Sequence, residues 1–195
     1  MNNFPVLFLM NVESEIPISV QGIYVSDADI EYCSKYKNEQ RQTQSILVRK
    51  LVREGLFQAT GLGHDCWEIK IGDNGGRYAQ SSDGKILQLS FSHSSAHYAV
   101  AIHSDAVGVD VEEIKIGRPW EKMQTYFERP AGLPPYKTQL EFLKGWTAYE
   151  AGLKYRSASN DPVLFHHVYP SDTAVVCLAV RERTKNVPAT IVIVK

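Results

Sequence analysis

The chain is poor in cysteine and has no long apolar run. Its three cysteines, Cys33, Cys66 and Cys177, are odd in number and far apart. That excludes a disulfide framework and the paired spacing of a structural zinc site. It fits a reduced, cytoplasmic setting. No stretch approaches the roughly 20 apolar residues that a spanning helix needs, so no membrane is expected. The opening "MNNFPVLFLMNVESE" has an apolar stretch but no basic leader and no small-residue cleavage site, and it reads as a first strand rather than a signal peptide. Net charge is scarce too, at −1 over 195 residues, which leaves no general attraction for nucleic acid.

Hydrophobic residues at 44% and charged residues at 22% make an ordinary globular composition. The length suits one large domain or two fused halves of about 100 residues each. Charge is uneven along the chain. Between residues 35 and 53 stand Lys35, Lys37, Arg41, Arg49, Lys50 and Arg53 against the single acid Glu39. Such a run is either a solvated helix face or a site for a phosphate-bearing or acidic partner.

Periodicity predicts strands over 4–10 and 18–25, then a helix capped by Ser26 or Asp27. A longer helix over 40–57 has Ile46, Leu47, Leu51 and Leu56 facing a core. A strand over 66–71 precedes a Gly/Ser/Asp-rich loop over 72–85. Three strands follow, over 86–91, 97–103 and 106–112, then a short helix over 119–127 and a Pro-rich connector over 129–137. A strong helix over 138–155 and strands over 163–169, 174–180 and 189–194 close the pattern. On that helix Phe142, Trp146, Tyr149 and Leu153 form an apolar stripe.

Three short stretches carry candidate chemistry. In "VGVDVEEIK" (107–115), alternation puts Val107, Val109 and Val111 on one face and Asp110 with Glu112 on the other. A pair of carboxylates there is either a surface pair on an edge strand or a hard-metal site, carboxylate oxygens being suited to Mg²⁺. In "FSHSSAH" (91–97), Ser92, His93, Ser94 and Ser95 sit at a strand end, either as a polar turn or as a cradle for an oxyanion. His93 and His97 do not share a face in that setting, so zinc is disfavoured. In "WTAYEAGLK" (146–154), Glu150 and Lys154 are one helical turn apart, which by itself is a helical ion pair.

In this order and with these gaps, the three stretches resemble the 4'-phosphopantetheinyl transferase superfamily, its Sfp-type monomeric branch more than its short trimeric branch. Ser92, His93 and Ser94 match the family's serine-histidine-serine element. Gly108, Val109, Asp110, Val111 and Glu112 match its Gly-hydrophobic-Asp-hydrophobic-Glu element. Trp146, Tyr149, Glu150, Ala151 and Lys154 match its Trp-x-x-Lys-Glu-Ala-x-x-Lys element. The resemblance spans residues 30 to 180. Tyr149 stands where the family has lysine, "GGRYA" (75–79) where it has Gly-Lys-Pro, so that Arg77 replaces that lysine, and Gln44 where related chains have arginine.

The resemblance implies an α+β fold of two pseudo-symmetric halves, residues 1–105 and 106–195. Each half would be a small, mostly antiparallel sheet with a long helix, and the active site would lie in the cleft between them. It implies a monomer that transfers the phosphopantetheine arm of coenzyme A to a serine of an acyl or peptidyl carrier protein and releases adenosine 3',5'-bisphosphate. Mg²⁺ would be held by Asp110, Glu112 and Glu150. Glu150 would take the serine proton, Lys154 would hold a phosphate oxygen, and Ser92 and His93 would bind coenzyme A phosphates. Arg77, Arg41 and Lys37, with Lys35, Arg49 and Arg53, are candidates for the 3'-phosphate or for an acidic carrier. Two other readings compete: a transferase-like chain that binds coenzyme A or a carrier without catalysis, and an unrelated metal-binding α+β protein.

Overall fold

Strand β1 (Val6–Asn11) has Leu7 and Leu9 on one side and Phe8 and Met10 on the other, and all four are buried. A strand apolar on both faces belongs inside a layered structure. The computed structural model describes residues 5–12, 21–126, 135–182 and 190–194. In it β1 pairs antiparallel with β5 (His97–His103) and parallel with β9 (Thr190–Val194). With β2 (Trp67–Ile71), β3 (Arg77–Ser81) and β4 (Ile86–Ser94) they form a six-stranded sheet in the order β2-β3-β4-β5-β1-β9. A second sheet holds β6 (Val107–Glu113), β8 (Ala174–Arg181) and β7 (Val163–Ser171), antiparallel and in that order.

Alternation along these strands builds four layers. Phe8, Met10, Val100 and Ile102 face helix α2 (Glu39–Thr60) across one core. Leu7, Leu9, Ala99 and Ala101 face the small sheet, meeting Val107, Val109, Val111, Val176, Leu178 and Val180. The far side of the small sheet, with Ala106, Cys177 and Ala179, carries Ala151 and Tyr155 of helix α4 (Gln139–Arg156). The order is therefore helix, sheet, sheet, helix, and the class is α+β. Helix α1 (Asp27–Ser34) packs against α2, and α3 (Trp120–Met123) is a single turn near α4. Ser26, Asn38 and Thr138 cap α1, α2 and α4 by accepting a backbone N–H three residues on. No helix among the described residues is long and apolar enough to cross a membrane.

Several expectations change. Residues 18–20 of the expected second strand lie outside the described residues, and 21–25 form no strand. The Pro-rich connector lies outside them between 127 and 134. The expected loop over 72–85 contains β3, so Arg77 stands on a strand. β9 rejoins the first sheet, so the sheets do not divide the chain at residue 105. The stripe on α4 is rotated: Tyr149 and Leu153 are 41% and 43% exposed, while Leu143, Thr147, Ala151 and Tyr155 are buried. Those four recur every fourth residue, a row that one helix face presents to a sheet. The sequence hides this row because Thr147 and Ala151 are weakly apolar. The Thr147 hydroxyl is satisfied within the helix, donating to Leu143 O at 2.8 Å.

The close approach of α4 to β6 rests on Gly108. A Cβ there would stand 2.0 Å from Ala151 O and 2.8 Å from Tyr155 N, both backbone atoms with little room to move. Gly108→Ala is expected to lower stability by about 1–3 kcal/mol through overpacking, read as a fall in melting temperature. A variant as stable as the parent would mean that α4 can stand away from β6.

Candidate functional site

Ser90, Ser92 and Ser94 occupy alternate positions of β4 and so share one face, the face turned to β6. Val109 N–H donates to Ser90 Oγ at 2.9 Å, Ser92 Oγ donates to Asp110 Oδ1 at 2.7 Å, and Ser94 Oγ donates to Glu112 Oε2 at 3.2 Å. This ladder of hydroxyls joins the two sheets through side chains. From the other side α4 delivers Lys154, whose Nζ donates to Val109 O at 3.0 Å and to Asp110 Oδ1 at 2.8 Å. Segments 91–97, 107–115 and 146–154, far apart in the chain, therefore converge on one carboxylate.

His93 points to the opposite face of β4. Its ring stacks on Tyr98 with centroids 5.7 Å apart, and its Nε2 lies 3.1 Å from Arg41 Nη1. A guanidinium has no acceptor, so Nε2 accepts and the ring proton sits on Nδ1. Burial, and then the charges of Arg41 and Lys154, push the imidazole pKa down to about 4. His93 is thus a neutral N–H donor at neutral pH.

A hollow of about 230 Å³ opens beside it, lined by Tyr32, Tyr36, Arg41, Ser45, Arg77, Ser92, His93 and Lys154 among others. A second hollow of about 230 Å³ adjoins through Arg77 and Lys154 and is lined by Asn74, Gly75, Ser90, Leu153 and Ser157. The Arg77 guanidinium lies over the Phe91 ring at 4.8 Å, and its buried Nε has no hydrogen-bond partner among the described residues. Burial works to raise the Tyr32 phenol. Hydrogen bonds with Arg77 and Tyr36 and the nearby arginine charges outweigh it and leave the phenol below its ordinary value. Three cations, Arg41, Arg77 and Lys154, thus face one cleft, which suits an anion with several phosphates.

The acidic side is only partly neutralised. Asp110 is 6% exposed and matched by Lys154, and Glu112 is matched by Arg118 Nη2 at 2.8 Å. Glu150 has no hydrogen-bond or ion-pair partner among the described residues. Burial chiefly, then the Asp110 charge, pushes its carboxyl above the ordinary range against the pull of Lys154, and Glu112 adds to the rise. Asp110 is raised by burial and by Glu112, against the charge and hydrogen bond of Lys154 and the hydrogen bond of Ser92. Three carboxylates face two cations. Among the described residues no three His, Cys, Asp or Glu side chains are placed to hold a metal ion together. The all-oxygen donor set and its uncompensated negative charge nonetheless fit a hard divalent ion in chemistry.

Ser92, His93, Arg41, Arg77 and Lys154 line the cleft; Lys37 is exposed and does not. Lys35 lies 3.9 Å from Glu31 on the surface. Arg49 and Arg53, expected as candidate anion ligands, are internal instead. Arg49 Nη1 bonds Asp29 Oδ1 at 3.2 Å and Arg53 Nε bonds Asp29 Oδ2 at 3.0 Å, while Arg53 also reaches His64 O and Trp67 O. Both are nearly fully buried, and a buried arginine needs such partners. Ser45, one turn beyond Arg41, lines the cleft where Gln44 does not, and Tyr149 lines neither hollow. Sequence reasoning passed over Tyr32, Tyr36, Ser45 and Arg118. The four-residue spacings 32–36 and 41–45 carried a signal for the first three; Arg118 lies in an irregular segment and carried none. No protein-family model matches the chain, and no curated protein matches it.

The His93 assignment predicts a titration followed by NMR through its ring signals. The folded value should be near 4, with the Nδ1–H tautomer, and Arg41→Ala should raise it toward the ordinary 6.5. A folded value below the unfolded one means that the unfolded chain binds the extra proton first. His93's contribution to stability is therefore complete above about pH 6.5 and is lost as pH falls toward 4. A folded value at or above 6.5 would refute the placement.

Proposed function

We propose that this protein is a cytoplasmic 4'-phosphopantetheinyl transferase, which moves the phosphopantetheine arm of coenzyme A to a carrier-protein serine. One observation carries the reading. Ser92 and Lys154 meet on Asp110, at 2.7 and 2.8 Å, at the edge of a cleft lined by three cations and a neutral histidine. A diphosphate with a third phosphate asks for that charge pattern.

Arg41, Arg77 and Lys154 would hold phosphate oxygens, and His93 would donate from Nδ1 without adding charge. The carrier serine Oγ would attack the β-phosphorus, the one bearing the pantetheine arm. A new P–O bond forms as the P–O bond to adenosine 3',5'-bisphosphate breaks. Glu150, unpaired and with its carboxyl raised by burial and by Asp110, would take the serine proton. A Mg²⁺ ion held by Asp110, Glu112 and Glu150 would offset charge on the diphosphate. In-line displacement of this kind needs placement and charge stabilisation more than covalent help from the protein.

The test is mass spectrometry of purified carrier proteins incubated with coenzyme A and Mg²⁺, over fatty-acid, polyketide and nonribosomal-peptide carriers. At least one carrier should gain the phosphopantetheine mass. The gain should disappear with a chelator and in Asp110→Asn, a change that removes a charge and little volume. No modification of any carrier by the folded protein would reject the transferase reading. Modification that persists in Asp110→Asn at low Mg²⁺ would reject the metal assignment.

A further inference from the structure

A second network, at the end of the cleft region, ties the hairpin between β4 and β5 to the rest of the molecule. Glu113 Oε1 accepts from Ala96 N–H at 3.0 Å and from His97 Nδ1 at 2.8 Å. Ser95 also hydrogen-bonds this carboxylate. On the far side of the ring Ser171 Oγ, at the end of β7, stands 3.2 Å from His97 Nε2. His97 is 4% exposed. Backbone conformation gives an independent sign of constraint: Ser95 has φ 49°, and no other non-glycine residue among those described has a positive φ. A non-glycine residue stays in that region only where its surroundings determine it, and such residues cluster at functional sites.

The order Ser171, His97, Glu113 is that of a nucleophilic relay. The Ser171 hydroxyl, however, also accepts from Thr173 N–H at 3.3 Å and lies 3.1 Å from Thr173 Oγ1. It is bound into its own turn, as a tether is. What the network does hold is the hairpin that carries Ser92, His93 and Ser94. Glu113 follows Glu112 on β6, so one strand end fixes the acidic side of the cleft and, through Ala96 and His97, the phosphate-facing hairpin as well.

We infer that Glu113 and His97 are positioning residues: they set the hairpin 92–97 at the distance from Asp110 that the phosphate cleft requires. The inference deepens the transferase reading and rests on it for its catalytic part. Its structural part stands alone, because the strained turn needs a partner whatever the cleft binds. A displacement of about 1 Å at the reacting groups can cost about 100-fold in rate.

The experiment compares the parent with Glu113→Ala, Glu113→Asp and Ser171→Ala. Hydrogen exchange is followed by mass spectrometry, and steady-state kinetics with coenzyme A and a modified carrier run alongside. Glu113→Ala should speed exchange of the amides of 92–98 and leave α2 and β8 unchanged. It should raise the Michaelis constant for coenzyme A about tenfold or more through misplacement of the hairpin, with little change for the carrier. Glu113→Asp should recover part of both effects, and Ser171→Ala should show a smaller form of them. Unchanged exchange at 92–98 in folded Glu113→Ala overturns the inference. So does a constant that rises only for the carrier. If Glu113→Ala does not fold, exchange in Ser171→Ala decides alone. A parent protein that modifies no carrier overturns the transferase reading, and the exchange data then judge the positioning role separately.

Discussion

The site depends on Lys154 reaching Asp110 across the junction of two sheets and a helix. Asp110 is buried, and an unpaired buried carboxylate is costly. Removing one partner of a buried pair costs about 3–5 kcal/mol, because the other charge is left in the interior without compensation. Lys154 reaches the strand only because Gly108 has no side chain to hold α4 away. Ser92 reaches the same oxygen only because β4 presents its serines on alternate residues. A glycine, a lysine and a serine from three remote segments thus serve one contact, and the cleft opens where they meet.

Charge around that contact is graded. Lys154 and Arg118 match Asp110 and Glu112, and Glu150 is left over on the same helix as Lys154. Across the cleft Arg41 and Arg77 line the hollow beside His93, which burial first, and then the charges of Arg41 and Lys154, keep neutral. A neutral imidazole can donate to an anion without adding to the mutual repulsion of the cations. Elsewhere the same residue type has a different duty. Arg49 and Arg53 spend their donors on Asp29 and backbone carbonyls, and they bind α1 to α2 rather than any ligand.

Much of this was legible in sequence because the signals were local. Alternation in "VGVDVEE" separated the valines from the carboxylates, and the structure keeps that separation: the valines face the large sheet while Asp110 meets Lys154 of α4. The cap at Ser26 was readable for the same reason. Three features were not legible. The buried row of α4 runs through Thr147 and Ala151, which have little hydrophobic signal, so the larger Tyr149 and Leu153 misdirected the reading. The return of β9 to β1 is a pairing between chain segments more than 170 residues apart, which no local pattern records. The basic run from 35 to 53 has one charge sign but two fates, decided by the burial of Asp29.

The central claim is that this cleft binds the phosphates of coenzyme A. Calorimetric titration of the intact protein with coenzyme A, in the presence of Mg²⁺ and beside pantetheine as the phosphate-free control, tests it most directly. The account predicts saturable binding of coenzyme A and at least tenfold weaker binding of pantetheine, a gap of about 1.4 kcal/mol or more. No binding of coenzyme A, or equal affinity for the two, would contradict it.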